Sequence, residues 1–250
     1  MMNLRTAEYA RAQSLAEAGN WHDLGLLATA NLKCTDAAWT VASAAVDLLE
    51  DRPVETIAAL RSILDAAPSP MMQIVHWVLA HAMARQAHVV GVASLLDGYL
   101  DWRPYYNRQS LELTDGFVEA EGAFRAALAI QDLDSLWNDL GVLHFSFGRV
   151  EEAADYFGEC LARDPAHRHA SINYAVSLLT RGRVSEAHDF VARTAFAVHL
   201  PRSLTLNSAV HEIAAGRAAH LPSRDYRDWT RWCAYSFGWR RRLSQLFEPA

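Results

Sequence analysis

The stretch Leu136–Pro165, LWNDLGVLHFSFGRVEEAADYFGECLARDP, holds two helical patterns divided by a single glycine turn. Trp137, Leu140, Gly141 and His144 recur at the three- and four-residue spacing of one helix face, and Ala153 and Phe157 do the same after the turn. Gly148 ends the first helix, because glycine accepts the left-handed backbone at little steric cost, and Asp164-Pro165 ends the second. Gly141 and Ala153 are small enough to let the two helices approach, while Trp137, Leu140 and Phe157 fill the seam between them. The motif then returns. Gly148-Arg149-Val150 recurs as Gly182-Arg183-Val184 and as Gly216-Arg217-Ala218, at equal intervals along the chain. At that same offset Ala153 matches Ala187, Asp155 matches Asp189, Tyr156 matches Phe190, and Gly141 matches Ala175 and Ala209. The resulting 34-residue period marks stacked units that cannot bury their apolar faces alone.

These residues resemble the tetratricopeptide repeat (TPR), whose pattern runs Trp, Leu-Gly, an aromatic, a small residue, an aromatic and a closing Pro. Trp137, Leu140, Gly141, Ala153, Phe157 and Pro165 occupy those places, and His144 departs from the usual aromatic hydroxyl. The resemblance implies an all-α, right-handed α-solenoid of antiparallel helical hairpins. Upstream the theme weakens. Ala7–Leu32 reads as helix, turn at Gly19-Asn20, and helix; Arg52–Pro68 and Gly116–Asp132 read as second helices, with Thr56, Leu60, Ile63 and Ala120, Phe124, Ala127 as packing positions. A degenerate pair around Met71–Leu100 brings the expected count to about six hairpins. The expected organisation is residues 1–100 and 101–133 as degenerate hairpins, 134–221 as well-matched units, and 222–250 as a C-terminal capping helix and tail.

Composition narrows the function classes. Of 250 residues, 51% are apolar, enough for a sizeable core, and 23 Lys+Arg against 29 Asp+Glu give a net charge of −6, which excludes a generally basic nucleic-acid-coating protein. Cys34, Cys160 and Cys233 stand far apart without a C-x-x-C pair, so a reducing cytoplasm is the expectation, and a bacterial source is a separate one. The first residues lack the flank and apolar run of a signal peptide, and the apolar window Met71–Ala84 contains Gln73, His76 and His81. No transmembrane segment is expected.

The signatures of catalysis are missing. No phosphate-cradling glycine loop, nucleophile elbow or H-E-x-x-H occurs, and His167-x-His169 and the His76/His81 pair lack metal-ligand spacing. Glu151-Glu152 open a helix, where carboxylates offset the positive end of the dipole. The expectation is therefore a non-catalytic protein with no metal and no cofactor.

Beyond Gly216 the repeat fails, Leu221-Pro222-Ser223 breaks the chain, and Ser223 can cap an amphipathic helix in which Tyr226, Trp229, Trp232, Phe237, Trp239, Leu243 and Leu246 recur. A solenoid must cover its last apolar face, so this helix is expected to cap the 202–215 helix. The same stretch carries Arg240-Arg241-Arg242, and from Arg224 to Arg242 six arginines face two aspartates. Trp229, Trp232, Trp239, Arg240, Arg241 and Arg242 are thus the candidates for a secondary interaction surface, for a protein partner or, less favoured, for nucleic acid or anionic lipid; in the capping role the arginines are simply solvated.

In the family, first helices line a concave groove. The resemblance places Ser135, Asn138, Val142 and Phe145 there in one unit, His169, Ile172, Val176 and Leu179 in the next, and Leu206, Val210 and Ile213 in the third. The same residues can alternatively pack internally. Some relatives grip a terminal carboxylate with Lys, Asn and Arg. The matching places here hold Asn138, Val142, His169 and Asn173, so the cationic clamp is missing and an apolar peptide or helix fits better. The expected function is a protein-protein interaction scaffold or chaperone-like adaptor. The alternatives are a regulatory or substrate-recruiting subunit of an enzyme complex, and a self-associating structural scaffold, the latter suggested by eight Trp and eight Tyr.

Overall fold

The computed structural model describes residues 4–33, 36–65, 71–96, 115–194 and 238–248. Among them every regular element is helical, and they fall into two compact units. The first contains α1 (Leu4–Glu17), α2 (Trp21–Asn31), α3 (Ala37–Leu49), α4 (Pro53–Ile63), α5 (Met72–Leu96), α6 (Asp115–Ile130) and a 3₁₀ helix at Gly238–Phe247. The second contains α7 (Asp134–Ser146), α8 (Val150–Arg163), α9 (Arg168–Thr180) and α10 (Val184–Thr194). Successive helices pack as pairs: α1 with α2, α3 with α4, α5 with α6, α7 with α8 and α9 with α10.

One turn, used four times, sets the register of these pairs. Gly19, Gly148 and Gly182 hold φ of +68°, +75° and +70°, and Asp51 holds +65°. After each, the next residue's N–H closes back on a carbonyl of the preceding helix: Asn20 on Leu15, Arg52 on Asp47, Arg149 on His144 and Arg183 on Leu178, all at 2.9 Å. This arrangement satisfies carbonyls that the end of a helix leaves open. Counting from that residue, the second helix buries positions four and eight further on. Leu24, Thr56, Ala153 and Ala187 form the first column, and Ala28, Leu60, Phe157 and Val191 the second, each at most 1% exposed. Thr56 is the polar member, and its hydroxyl donates to Ala44 O at 3.1 Å and Arg52 O at 2.9 Å, so its burial leaves no orphan donor.

Asp51 is the one non-glycine residue at positive φ among the described residues. Its ion pair with Arg85 at 2.7 Å is solvent-exposed and adds little. Replacing it with glycine removes the Cβ conflict of the left-handed conformation. Asp51→Gly is therefore expected to stabilise the first unit by about 0.5–1 kcal/mol, read as a higher urea midpoint at unchanged slope. A lower midpoint would show that the Asp51 side chain matters more than its backbone.

Two expectations need correction. Met71–Leu100 is not a helical pair: α5 runs unbroken through Met72–Leu96 and takes α6 as its partner. The helix carries Gly91 within it, and a long apolar run with one internal glycine reads equally as one helix or two. The described part of the C-terminal stretch is a 3₁₀ helix rather than an α-helix, and it packs on α1, α3 and α5. Residues 202–215, its expected neighbour, lie outside the described residues, as does the third turn at Gly216-Arg217.

Candidate functional site

In the second unit the first helices are α7 and α9, and the 34-residue period puts matching residues at matching depths. Val142, Phe145, Ile172 and Val176 do not face an open groove. Together with Ala153, Phe157, Ala187 and Val191 they form one buried apolar cluster, which uses the pattern expected to serve a ligand to hold the hairpins together. Leu178 belongs to the same cluster. The Leu179 side chain, and all of Leu206, Val210 and Ile213, lie outside the described residues.

Ser135 and His169 are different. They hold equivalent repeat positions near the N-terminal ends of α7 and α9, and both are half-buried rather than taken into the core. The Ser135 hydroxyl lies 3.5 Å from Nε2 of His167, whose ring centre is 6.0 Å from that of His169. Beneath them a buried amide pair joins the two helices. Asn173 Nδ2 donates to Asn138 Oδ1 at 2.9 Å, and Asn138 Nδ2 donates to Asp139 Oδ1 at 3.2 Å. Asn173 Oδ1 is buried and has no partner among the described residues. A buried carbonyl left open costs free energy, so an unused acceptor is a feature that calls for a donor.

The charged groups near this unit are engaged structurally. Arg149 reaches Glu152 at 2.6 Å, and Arg181 pairs with Glu151, tying α8 to the turn after α9. Partial burial pushes the Glu152 carboxyl up, but its own backbone N–H and the Arg149 guanidinium outweigh this and hold it below the usual glutamate value. Burial, aided by Asp134 and Asp139, pushes the Cys160 thiol well above the ordinary range, which keeps it protonated and a poor nucleophile. His144 packs its ring 4.7 Å from Tyr156, filling the place where the repeat pattern has a larger aromatic. Among the described residues no group of His, Cys, Asp and Glu is arranged to hold a metal ion. None of the described helices is long and apolar enough to cross a membrane.

The expected secondary surface is divided. Trp229 and Trp232 lie outside the described residues, as does the Arg241 side chain. Trp239 is not a surface residue: it is fully buried in the first unit, with its ring 6.3 Å from that of His81. Arg240 is half-buried, and Arg242 donates from Nη1 to Gln73 Oε1 and Gln131 Oε1, each at 2.9 Å. Phe247 completes a cluster of three rings with Tyr9 and Trp39, at 5.4 and 4.9 Å. None of Tyr9, Trp39, Gln73 or Gln131 stands out in the sequence, because each meets the tail across a long separation in the chain.

Comparison with known proteins agrees with this architecture. Two family models described as tetratricopeptide repeat match residues 144–203 and 115–160. The chain is similar in structure to a thermophilic TPR protein of Thermus thermophilus, with 15% identity, 84% of this chain and 99% of that chain covered, and a TM-score of 0.57. That likeness speaks to the fold alone. Among curated proteins no relative matches. Repeats of this kind generally mediate protein-protein interaction, and proteins built from them are generally non-catalytic scaffolds. The 34-residue period, the repeated turn, the paired helices and the two family matches together show that this chain carries tetratricopeptide repeats over residues 115–203.

Proposed function

We propose that the chain is a non-catalytic adaptor that holds a segment of a protein partner across the N-terminal ends of α7 and α9. The observation that carries this reading is the pair Ser135 and His169. They occupy one repeat position in successive first helices and stay outside the core, while deeper positions of the same helices are consumed by packing. Without a cationic clamp, an internal segment suits the site better than an acidic chain terminus. A chaperone-like role, a recruiting role within an enzyme assembly, and a cytoplasmic, bacterial setting are compatible with this reading.

The test is affinity capture from the source cell with the wild-type chain and Ser135→Arg/His169→Glu, with partners read by mass spectrometry. Both substitutions sit at half-buried positions and are expected to leave the melting temperature within a few degrees. A partner retained by the wild type and lost by the folded variant supports the site. Equal retention by both places binding elsewhere.

A further inference from the structure

The Gly238–Phe247 segment lies where a terminal cap does not belong. A cap covers the exposed end of a last hairpin. This segment instead runs across α1, α3 and α5, the first helices of three successive hairpins in one unit. That is the side on which a helical repeat carries ligands.

Its contacts are those of a recognised peptide. Gln73 is buried on α5, and its Nε2 donates to Ala127 O at 3.4 Å and Gln131 O at 3.1 Å, near the end of α6. Those carbonyls accept only, so they fix which way the amide faces and aim its Oε1 at the tail. Gln131 aims a second amide oxygen at the same point, and the Arg242 guanidinium fills it by donating to both. On either side sit aromatic seats. Trp39 on α3 and Tyr9 on α1 form the seat for Phe247, with Tyr9 held by its hydroxyl donating to the Asp36 carboxylate. His81 on α5 stands beside Trp239 and is itself set edge-on to Phe124 at 5.2 Å. The seats and the amide oxygens belong to the helical pairs, whereas the three groups they receive belong to the far end of the chain.

We propose that the α1–α3–α5 face of the first unit is a binding site for a short segment in which one arginine is flanked by bulky aromatics, and that the chain's own Gly238–Phe247 occupies it as an exchangeable ligand in cis. A partner segment of the same chemistry gains this face by displacing the tail. This site is separate from the one at Ser135 and His169, and neither reading requires the other.

The experiment uses the full chain and a fluorescein-labelled synthetic peptide of residues 238–250, with binding read by anisotropy. Wild-type protein keeps its site filled and is expected to bind the peptide weakly. Full-length Arg242→Ala/Phe247→Ala loosens the tail in cis and is expected to bind it at least about tenfold more tightly, the scale set by losing an anchor of this kind. A peptide carrying the same two substitutions is expected not to bind, and Gln131→Ala added to the loosened protein is expected to weaken binding again. Equal affinity of wild type and loosened variant overturns the proposal. So does loss of cooperative unfolding in the loosened variant, which makes the segment an integral part of the core. Ser135 and His169 are untouched throughout, so failure here leaves the adaptor reading where its own test puts it.

Discussion

Adding a single methyl group at Gly141 is expected to cost the second unit about 2 kcal/mol, although the substitution improves helix propensity. A Cβ built on Gly141 lies 2.4 Å from Cε1 and 2.5 Å from Cδ1 of Phe157, well inside any tolerable contact. The ring has no room to retreat, because Phe157 is fully buried in the cluster with Val142, Ala153, Ala187 and Val191. Overpacking of this kind costs roughly 1–3 kcal/mol, and a contact this short belongs at the top of that range. Gly→Ala in a helix returns about 1 kcal/mol, which leaves the net loss. The mechanism is checked by a double-mutant cycle. Phe157→Leu alone opens space and destabilises, but Gly141→Ala/Phe157→Leu is expected to be more stable than the sum of the two single changes predicts, because each relieves what the other creates. Urea unfolding reads all four proteins. A Gly141→Ala midpoint indistinguishable from wild type would mean that α7 and α8 are not held together by this close approach.

The same contact shows why the centre of the chain is readable from residue types and its flanks are not. Gly148-Arg149 and Gly182-Arg183 announce their turns because glycine is the residue that a positive φ favours, and because they stand one 34-residue period apart. Asp51-Arg52 makes an identical turn with a residue that gives no such signal, and its distance from the Gly19-Asn20 turn falls short of that period, so a search at a fixed interval misses it. Once the turn is the origin, Thr56 and Leu60 fall into line with Ala153 and Phe157. The packing pattern is visible at Arg52–Pro68, while its phase is not. Met72–Leu96 is obscure for a different reason. Apolar residues dominate that run, and a lone glycine, Gly91, is tolerated inside a helix as readily as it ends one, so periodicity does not say whether the chain reverses.

For the candidate sites the limit is three-dimensional. Sequence places Val142 and Val176 on the first helices, but helix position alone does not separate a face that meets a ligand from one that meets the next hairpin. The tail illustrates the other side of the same limit. Trp239, Arg242 and Phe247 are visible as an aromatic and basic run, and their partners Gln73, Gln131, Trp39 and Tyr9 are ordinary residues of ordinary helices. What makes them receptive is the orientation of two amides and the crossing of three helices, neither of which is written locally.

Val142→Glu separates groove from core most sharply, and it is expected to unfold the second unit, with a loss of about 3–5 kcal/mol or more. Val142 is 1% exposed, and the cluster around it consists of Phe145, Phe157, Ile172, Val176 and other apolar side chains. The buried side chains of that cluster offer a carboxylate no cation and no hydrogen-bond donor. Burying an unpaired charge costs more than the interactions that valine gives up, so the unit is expected to open and let the charge reach water. Val176→Glu, one repeat later in the same cluster, is expected to behave alike. His169→Glu starts from a half-buried position and is expected to stay within about 1 kcal/mol of wild type. Circular dichroism and urea titration of the three variants read the difference directly. A partner lost with Val142→Glu would then report loss of the fold, whereas a partner lost with His169→Glu at unchanged stability would report loss of contact. Should Val142→Glu melt where the wild type does, its side chain is reaching solvent, and the binding face extends along the whole of α7 rather than ending near Ser135.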